Sequence, residues 1–232
     1  MHNSPACYGI LIVDWRVRMV IFDLDGTLVD SLTDLALCVN KGLTAAGLPE
    51  QPLSKYNKFV GNGRDMLVRR AMAANYSDEG FAKVKAVFDA EYKLHCNDNT
   101  TAYPGCPELL ERLAANGVAT AVLSNKPDEF VAKILQKLYP DHHFAQAWGQ
   151  KPQYRCKPDR ESLDALLAAC GFTSEDCVYI GDSDVDVLTA KNGGVQMAGV
   201  SWGFRGREEL MNAGAPFVAD TAEELGDYLL SL

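Results

Sequence analysis

Two aspartates, Asp23 and Asp25, interrupt the apolar run "MVIFDLDGTLVDS" at residues 19–31. Their neighbours Met19, Val20, Ile21, Phe22 and Leu24 are of the kind that fills a buried strand. Residues two apart on an extended chain point to the same face, so both carboxylates are expected to look the same way. A second polar pair, Ser124-Asn125, closes the apolar run "GVATAVLSN". A third set, Asp182, Ser183, Asp184 and Asp186, follows a strand-like run in "CVYIGDSDVD". One cation, Lys157, precedes Pro158 in "KPDRESLDALL". Acids gathered without compensation repel one another and raise their own pKa values. Such a cluster makes sense when a hard cation neutralises it, and oxygen-only donors suit Mg²⁺ with a substrate phosphate completing its shell. Screened by the metal and by Lys157, a carboxylate can attack a dianionic phosphate and form an aspartyl-phosphate. Phosphoryl transfer of this kind needs positioning and charge neutralisation more than elaborate chemistry.

The elements that must position these residues follow from hydrophobic periodicity. Short apolar runs alternate with helical patterns: "MVIFDL" before "SLTDLALCVNKGLTAAGL", "GVATAVLSN" before "PDEFVAKILQKL", "DCVYIGDS" before "DVDVLTAKNGG", "GVQMAGVSW" before "REELMNAG", and "PFVA" before "TAEELGDYLLSL". This alternation predicts right-handed crossovers and a doubly wound, Rossmann-like α/β core with a parallel sheet covered on both faces. Ligands of such sheets bind beyond the carboxyl ends of the strands, where the polar sets fall. Residues 34–101 break the pattern. They hold helical stretches and no good strand, among them "SDEGFAKVKAVFDAEYKLHC" with Phe81, Val84, Phe88 and Tyr92 on one stripe. The expected organisation is a catalytic core of residues 1–33 and 102–232, with a small all-helical cap, 34–101, inserted after the first strand. Residues 1–18 show no convincing pattern and read as an N-terminal extension.

Each polar set alone has an ordinary explanation as a solvated turn, a helix cap or a loop dipeptide. All of them in this order, at the strand ends of one α/β pattern, do not. "DLDGTLVDS", "SNK", "KPD" and "GDSDVD" together resemble the four motifs of the haloacid dehalogenase superfamily of phosphatases, over nearly the whole chain from Met19 onward. "FVGNGRDML" and the tail from "GVSWGFRGREEL" resemble the phosphoglycolate phosphatase-like branch. The resemblance implies that Asp23 is the nucleophile and a magnesium ligand. Asp25 would be the general acid and base, with its backbone carbonyl on the metal. Ser124, with Asn125 beside it, would hold the transferred phosphoryl group, and Lys157 would neutralise nucleophile and phosphate. Asp182 would complete the metal ligands and Asp186 would support the metal directly or through Lys157, while Asp184 falls at a variable position. Asp25 favours phosphoryl transfer over dehalogenation, because a halide leaves without a proton.

The cap must then read the leaving group. Thr27 in the first motif and Gly61, Asn62, Gly63 and Arg64 in "VGNGRDM" are the candidate substrate contacts. The glycines let backbone approach a small ligand, and a guanidinium at Arg64 can hold a carboxylate through paired hydrogen bonds. Arg69 and Arg70, further along the same helix, are expected to face solvent. Lys151 also precedes a proline but reads as a solvated charge in an irregular loop.

Composition narrows the partners. A formal net charge of −9 opposes binding of a phosphate backbone, so nucleic acid is not expected. No apolar run approaches the roughly 18 residues of a membrane span, and no signal-peptide pattern is seen. The seven cysteines include no CxxC pair and read as reduced thiols of a cytoplasmic protein. The expected partner is a small phosphorylated metabolite; monomer and dimer stay open. The expected reaction is Mg²⁺-dependent hydrolysis of a small phosphomonoester, 2-phosphoglycolate first. The alternatives are a pyrophosphatase, another sugar-phosphate phosphatase, a β-phosphoglucomutase-like phosphomutase, or a catalytically silent protein that binds a phosphorylated ligand.

Overall fold

A computed structural model describes residues 17–232, so most of the N-terminal stretch read as an extension lies outside the described residues. Strand β1 (Met19–Phe22) leads into a two-residue strand β2 (Val29–Asp30). Four helices follow: α1 (Leu32–Ala45), α2 (Leu53–Phe59), α3 (Gly63–Met72) and α4 (Asp78–His95). Strand β3 (Thr101–Ala102) then returns the chain antiparallel to β2, pairing Val29 with Ala102. The alternating part continues as α5 (Cys106–Ala115), β4 (Ala119–Pro127), α6 (Asp128–Leu138), β5 (Gln146–Gln150), α7 (Glu161–Cys170), β6 (Cys177–Gly181), α8 (Asp184–Gly193), β7 (Gln196–Val200), α9 (Gly206–Ala213), β8 (Val218–Ala219) and α10 (Ala222–Ser231).

Among the described residues, six strands form one parallel sheet in the order β5-β4-β1-β6-β7-β8. The period of two along each strand divides the core. Val20 and Phe22 of β1 point to the face covered by Leu109, Leu110 and Leu113 of α5, Ile134 of α6, and Leu225 and Leu229 of α10. Met19 and Ile21 point to the opposite face, against Leu163 and Leu166 of α7, Val187 of α8 and Leu210 of α9. A strand buried on both sides must be apolar throughout, which is why β1 and β6 read as unbroken runs. Central β1 has β4 on one side and β6 on the other. The strand order therefore reverses beside β1, and the ends of β1, β4 and β6 open a crevice there.

Helices α1–α4 pack around their own apolar cluster, with Leu35, Val39, Leu43, Tyr56, Leu67, Val68, Val84, Phe88 and Tyr92 buried, and Phe130 of α6 joins it from the core side. Ser77 caps α4 by accepting from the Gly80 amide, and three stripe residues of α4 are buried while Phe81 is partly so. The chain's return from these helices is held by buried Asp34 of α1. Its carboxylate accepts from the Asn99 amide and side chain and from the Thr100 amide and hydroxyl. The strand β5, "QAWGQ", departs from the sequence reading, which placed no element there. It is an edge strand, mostly half-exposed and carrying two glutamines and a glycine, so it lacks the apolar signature.

Candidate active site

Asp23 stands immediately after β1, where its amide donates to the Ile180 carbonyl of β6 at 2.8 Å. Its Oδ1 accepts from the Leu24 amide at 2.7 Å. Lys157 pairs with the same oxygen at 3.0 Å and donates hydrogen bonds to Asp186 Oδ1 at 2.9 Å and to the Tyr179 hydroxyl at 2.9 Å. Asp186 caps the first turn of α8, its Oδ2 accepting from the Ser183 amide and hydroxyl. Asp182 follows β6 and accepts from the Phe204 amide at 2.7 Å. It packs so closely on the first-motif turn that a Cβ at Gly26 would lie 2.4 Å from its Oδ2; Gly26 itself has φ +86°, a region that also favours glycine.

Asp23, Asp182 and Asp186 are all buried, and each offers an oxygen within 4.8 Å of the others. Burial pushes Asp23 up to about 6, with Asp186 and Asp25 adding to the rise and Lys157 opposing it. Burial likewise holds Asp182 well above the usual carboxylate range, reinforced by Asp186 and Asp23. At Lys157, burial acts to lower the pKa, but Asp186 and Asp23 outweigh it and keep the ammonium charged. Asp25, one turn on, gives its carboxylate to a different cation: Lys126 Nζ lies 2.9 and 3.1 Å from its two oxygens, and the Ser31 hydroxyl donates at 2.5 Å. The four carboxylates Asp23, Asp25, Asp182 and Asp186 thus meet two ammoniums, Lys126 and Lys157, and a deficit of two positive charges remains. All-oxygen donors with that deficit fit Mg²⁺. Both oxygens of Asp186 already have partners, so Asp23 and Asp182 are the better placed of the three to hold it. The Asp25 carboxylate stands outside the cluster, and its expected metal contact is through its backbone.

Asp23, Asp25, Asp182 and Lys126 line a cavity of about 50 Å³ between the sheet edge and the helices, room for a few water molecules' worth of ligand. Ser124 lines it from the end of β4. Asn125 ties three segments: its Nδ2 donates to the carbonyls of Gly61 (3.1 Å) and Lys157 (3.0 Å), and its Oδ1 accepts from the Lys157 amide (2.8 Å). Gly61 and Gly63 line the cavity, as does Arg64, whose side chain is 42% exposed and held by Asp89 at 3.2 Å. Asn62 is absent from this lining and accepts instead from Arg70 at 2.7 Å. Thr27 is buried outside the lining, its carbonyl bound by the Trp202 indole and its hydroxyl without a hydrogen-bond partner. Arg69 is exposed, as expected, and lies over the rings of Tyr76 (4.7 Å) and Phe81 (4.8 Å). The expectation for Arg70 is corrected: it is half-buried and braces the loop before α3 through the Phe59 carbonyl (2.9 Å) and Asn62. Lys151 is outside the site but stacks on Trp148 at 4.3 Å rather than standing free. Asp184 is exposed.

Sequence reasoning passed over Lys126, Tyr92, Tyr179 and Arg205. Lys126 carried a signal, since it directly follows the Ser124-Asn125 pair at the end of the same strand. Arg205 carried none: a loop arginine that donates to the Val60 carbonyl at 2.9 Å becomes visible only when core and helices are brought together.

Residues 20–200 match the family of haloacid dehalogenase-like hydrolases. The chain belongs to this family. The phosphoglycolate phosphatase 1 of Pseudomonas aeruginosa is 34% identical over 213 residues, covering 90% of this chain and 78% of that protein. The phosphoglycolate phosphatase of Vibrio cholerae is 32% identical over 220 residues, covering 92% and 97%. A crystal structure from Lactobacillus delbrueckii subsp. bulgaricus superposes with a TM-score of 0.89 at 32% identity, covering 94% of this chain and all of that one. The chain is therefore a hydrolase of that family, with a parallel six-stranded sheet flanked by helices.

Proposed function

We propose that this protein hydrolyses a small phosphomonoester, 2-phosphoglycolate first, through an aspartyl-phosphate on Asp23. The observation that carries the reading is the Lys157 ammonium held between Asp23 and Asp186 in the buried crevice, 3.0 and 2.9 Å away. An ammonium fixed there screens Asp23 from an approaching dianion, the principal obstacle to a carboxylate nucleophile. The similarity to the phosphoglycolate phosphatases of P. aeruginosa and V. cholerae supports the choice of substrate. Residues 34–101 act as the cap over a core of 1–33 and 102–232, and the free thiols of Cys38, Cys96, Cys106, Cys156, Cys170 and Cys177 fit a reducing cytoplasm.

An Asp23 oxygen attacks phosphorus as the bond to the leaving oxygen breaks, and protonated Asp25 gives that oxygen its proton. Ser124 hydrogen-bonds the transferred group. Asp25, now ionised, takes a proton from water as the water oxygen attacks the aspartyl-phosphate; phosphate leaves and Asp23 is restored. Asp186 and Tyr179 fix Lys157, and Asn125 sets the backbone on which Lys157 stands. Asp23, Asp182 and the Asp25 carbonyl would hold Mg²⁺, which when bound offsets charge shared by nucleophile and phosphate. The test is acid quench of protein mixed with phosphoglycolate and Mg²⁺, followed by peptide mass spectrometry. Phosphate is expected on Asp23 and is lost in Asp23→Asn, which should not turn over. Phosphate on another residue, or full activity in Asp23→Asn, refutes the mechanism.

A further inference from the structure

The catalytic scheme explains how the phosphate is gripped and leaves one buried cation without a ligand. Lys126 extends from the end of β4, its side chain only 2% exposed, and lines the cavity. Ser124 and Lys126 are two apart on the same strand, one toward the phosphoryl site and the other against the acid that serves the leaving oxygen. The ammonium therefore sits on the leaving-group side of the crevice. Asp25 takes two hydrogen bonds from it, and the Tyr92 hydroxyl lies near enough to act on the ammonium without a well-formed hydrogen bond.

The wall facing Lys126 comes from the helices, where apolar Leu35, Leu67 and Phe88 line the cavity together with two polar groups, Arg64 and the Tyr92 hydroxyl. Tyr92 is buried, its ring centroid lies 4.9 Å from Lys126 Nζ, and its hydroxyl has no hydrogen-bond partner. A buried hydroxyl without a partner is costly, and a ligand that pairs it recovers that cost. A buried cation and an orphaned hydroxyl beside it, opposite the phosphoryl site in a small cavity, together match a short acid whose carboxylate lies one or two bonds from the phosphorylated oxygen. Arg64, the other cation near the cap, is half out in solvent and engaged by Asp89. Arg205 donates to the Val60 carbonyl and pairs with Glu209.

We propose that Lys126 and Tyr92 form the leaving-group subsite, with Lys126 binding the substrate carboxylate and the Tyr92 hydroxyl donating a second hydrogen bond to it. This deepens the reading of the site as a phosphomonoesterase and rests on it. Efficiency against substrates lacking the carboxylate is lower because they leave the Tyr92 hydroxyl without a partner and make no ion pair with Lys126.

Wild-type, Lys126→Met, Tyr92→Phe and Arg64→Ala proteins are compared, with Mg²⁺, on 2-phosphoglycolate and on 2-hydroxyethyl phosphate, which has no carboxylate. Lys126→Met should lower kcat/KM for phosphoglycolate about 10- to 100-fold, chiefly through KM, and at least about fivefold less for 2-hydroxyethyl phosphate, the scale of one charge-assisted hydrogen bond. Tyr92→Phe should give a smaller loss with the same selectivity and no fall in melting temperature, because the hydroxyl it removes is unpaired. Equal losses on both substrates, or a selective loss in Arg64→Ala alone, overturn the subsite. Should Lys126→Met fail to fold, the same comparison in Tyr92→Phe decides. A wild-type protein that hydrolyses both substrates equally well overturns the subsite but leaves the phosphomonoesterase standing; one that hydrolyses neither defeats the reading beneath both.

Discussion

Lys157 and Lys126 share one crevice, yet each ammonium is committed to a different acid. Removing Lys157 leaves Asp23 and Asp186 buried without their cation, so Lys157→Ala should lower kcat by at least about 10³-fold, as loss of a preorganised charge does. Lys151→Ala should stay within about twofold, because Lys151 stacks on Trp148 outside the crevice. Steady-state assay of the two variants checks this, and the reverse order would move the site. The acids also set a pH dependence. The folded-state pKa of Asp23 is raised from 3.8 to about 6, so its share of stability is present at low pH and lost as pH rises through 6. Asp182 shifts in the same direction. Metal-free protein should therefore melt at a lower temperature at pH 7.5 than at pH 5. Mg²⁺ binds the ionised carboxylates, so its stabilising shift should be larger at pH 7.5. Equal Mg²⁺ shifts at both pH values in a thermal-melt series would contradict a metal held by these acids.

The elements differ in how much they must hold. β4 ends in Ser124, Asn125 and Lys126, three successive side chains that reach the cavity lining, the cap loop and Asp25. Asp34 fastens the returning chain through four donors, and an amide in its place cannot accept from all of them. Asp34→Asn should therefore cost about 2–4 kcal/mol of stability, seen as a lowered denaturation midpoint. An unchanged midpoint would mean that Asn99 and Thr100 find other partners. Arg205→Ala frees the Val60 carbonyl and should speed hydrogen exchange at the start of α3 while leaving the sheet protected. The central strands were legible in the sequence because burial on both faces leaves them unbroken apolar runs, and the polar residues that end those runs were legible for the same reason. β5 was not, since an edge strand half in solvent keeps glutamines and a glycine. α2, at seven residues with Tyr56 alone buried, is too short to show a period. Arg70 and Arg205 draw their meaning from partners brought to them by the fold, which no local spacing encodes.

At the scale of the molecule, a rigid sheet presents the charges and a layer of helices closes over them. Among the described residues no helix is long and apolar enough to cross a membrane. The cavity is small, so phosphorylated hexoses should be hydrolysed with kcat/KM at least about tenfold below that of phosphoglycolate, which a substrate panel measures. Comparable rates would require a much wider opening of the helices than this cavity describes. The ribbon of β2 and β3 has one more consequence. The chain leaves for the helices and returns from them side by side, Val29 against Ala102, so the whole run begins and ends at one point in space. A segment whose two ends already meet can be exchanged for another of different length or shape without moving a single strand of the sheet. Recognition can then be rewritten by swapping a part, while the apparatus that breaks the phosphate ester is inherited unchanged.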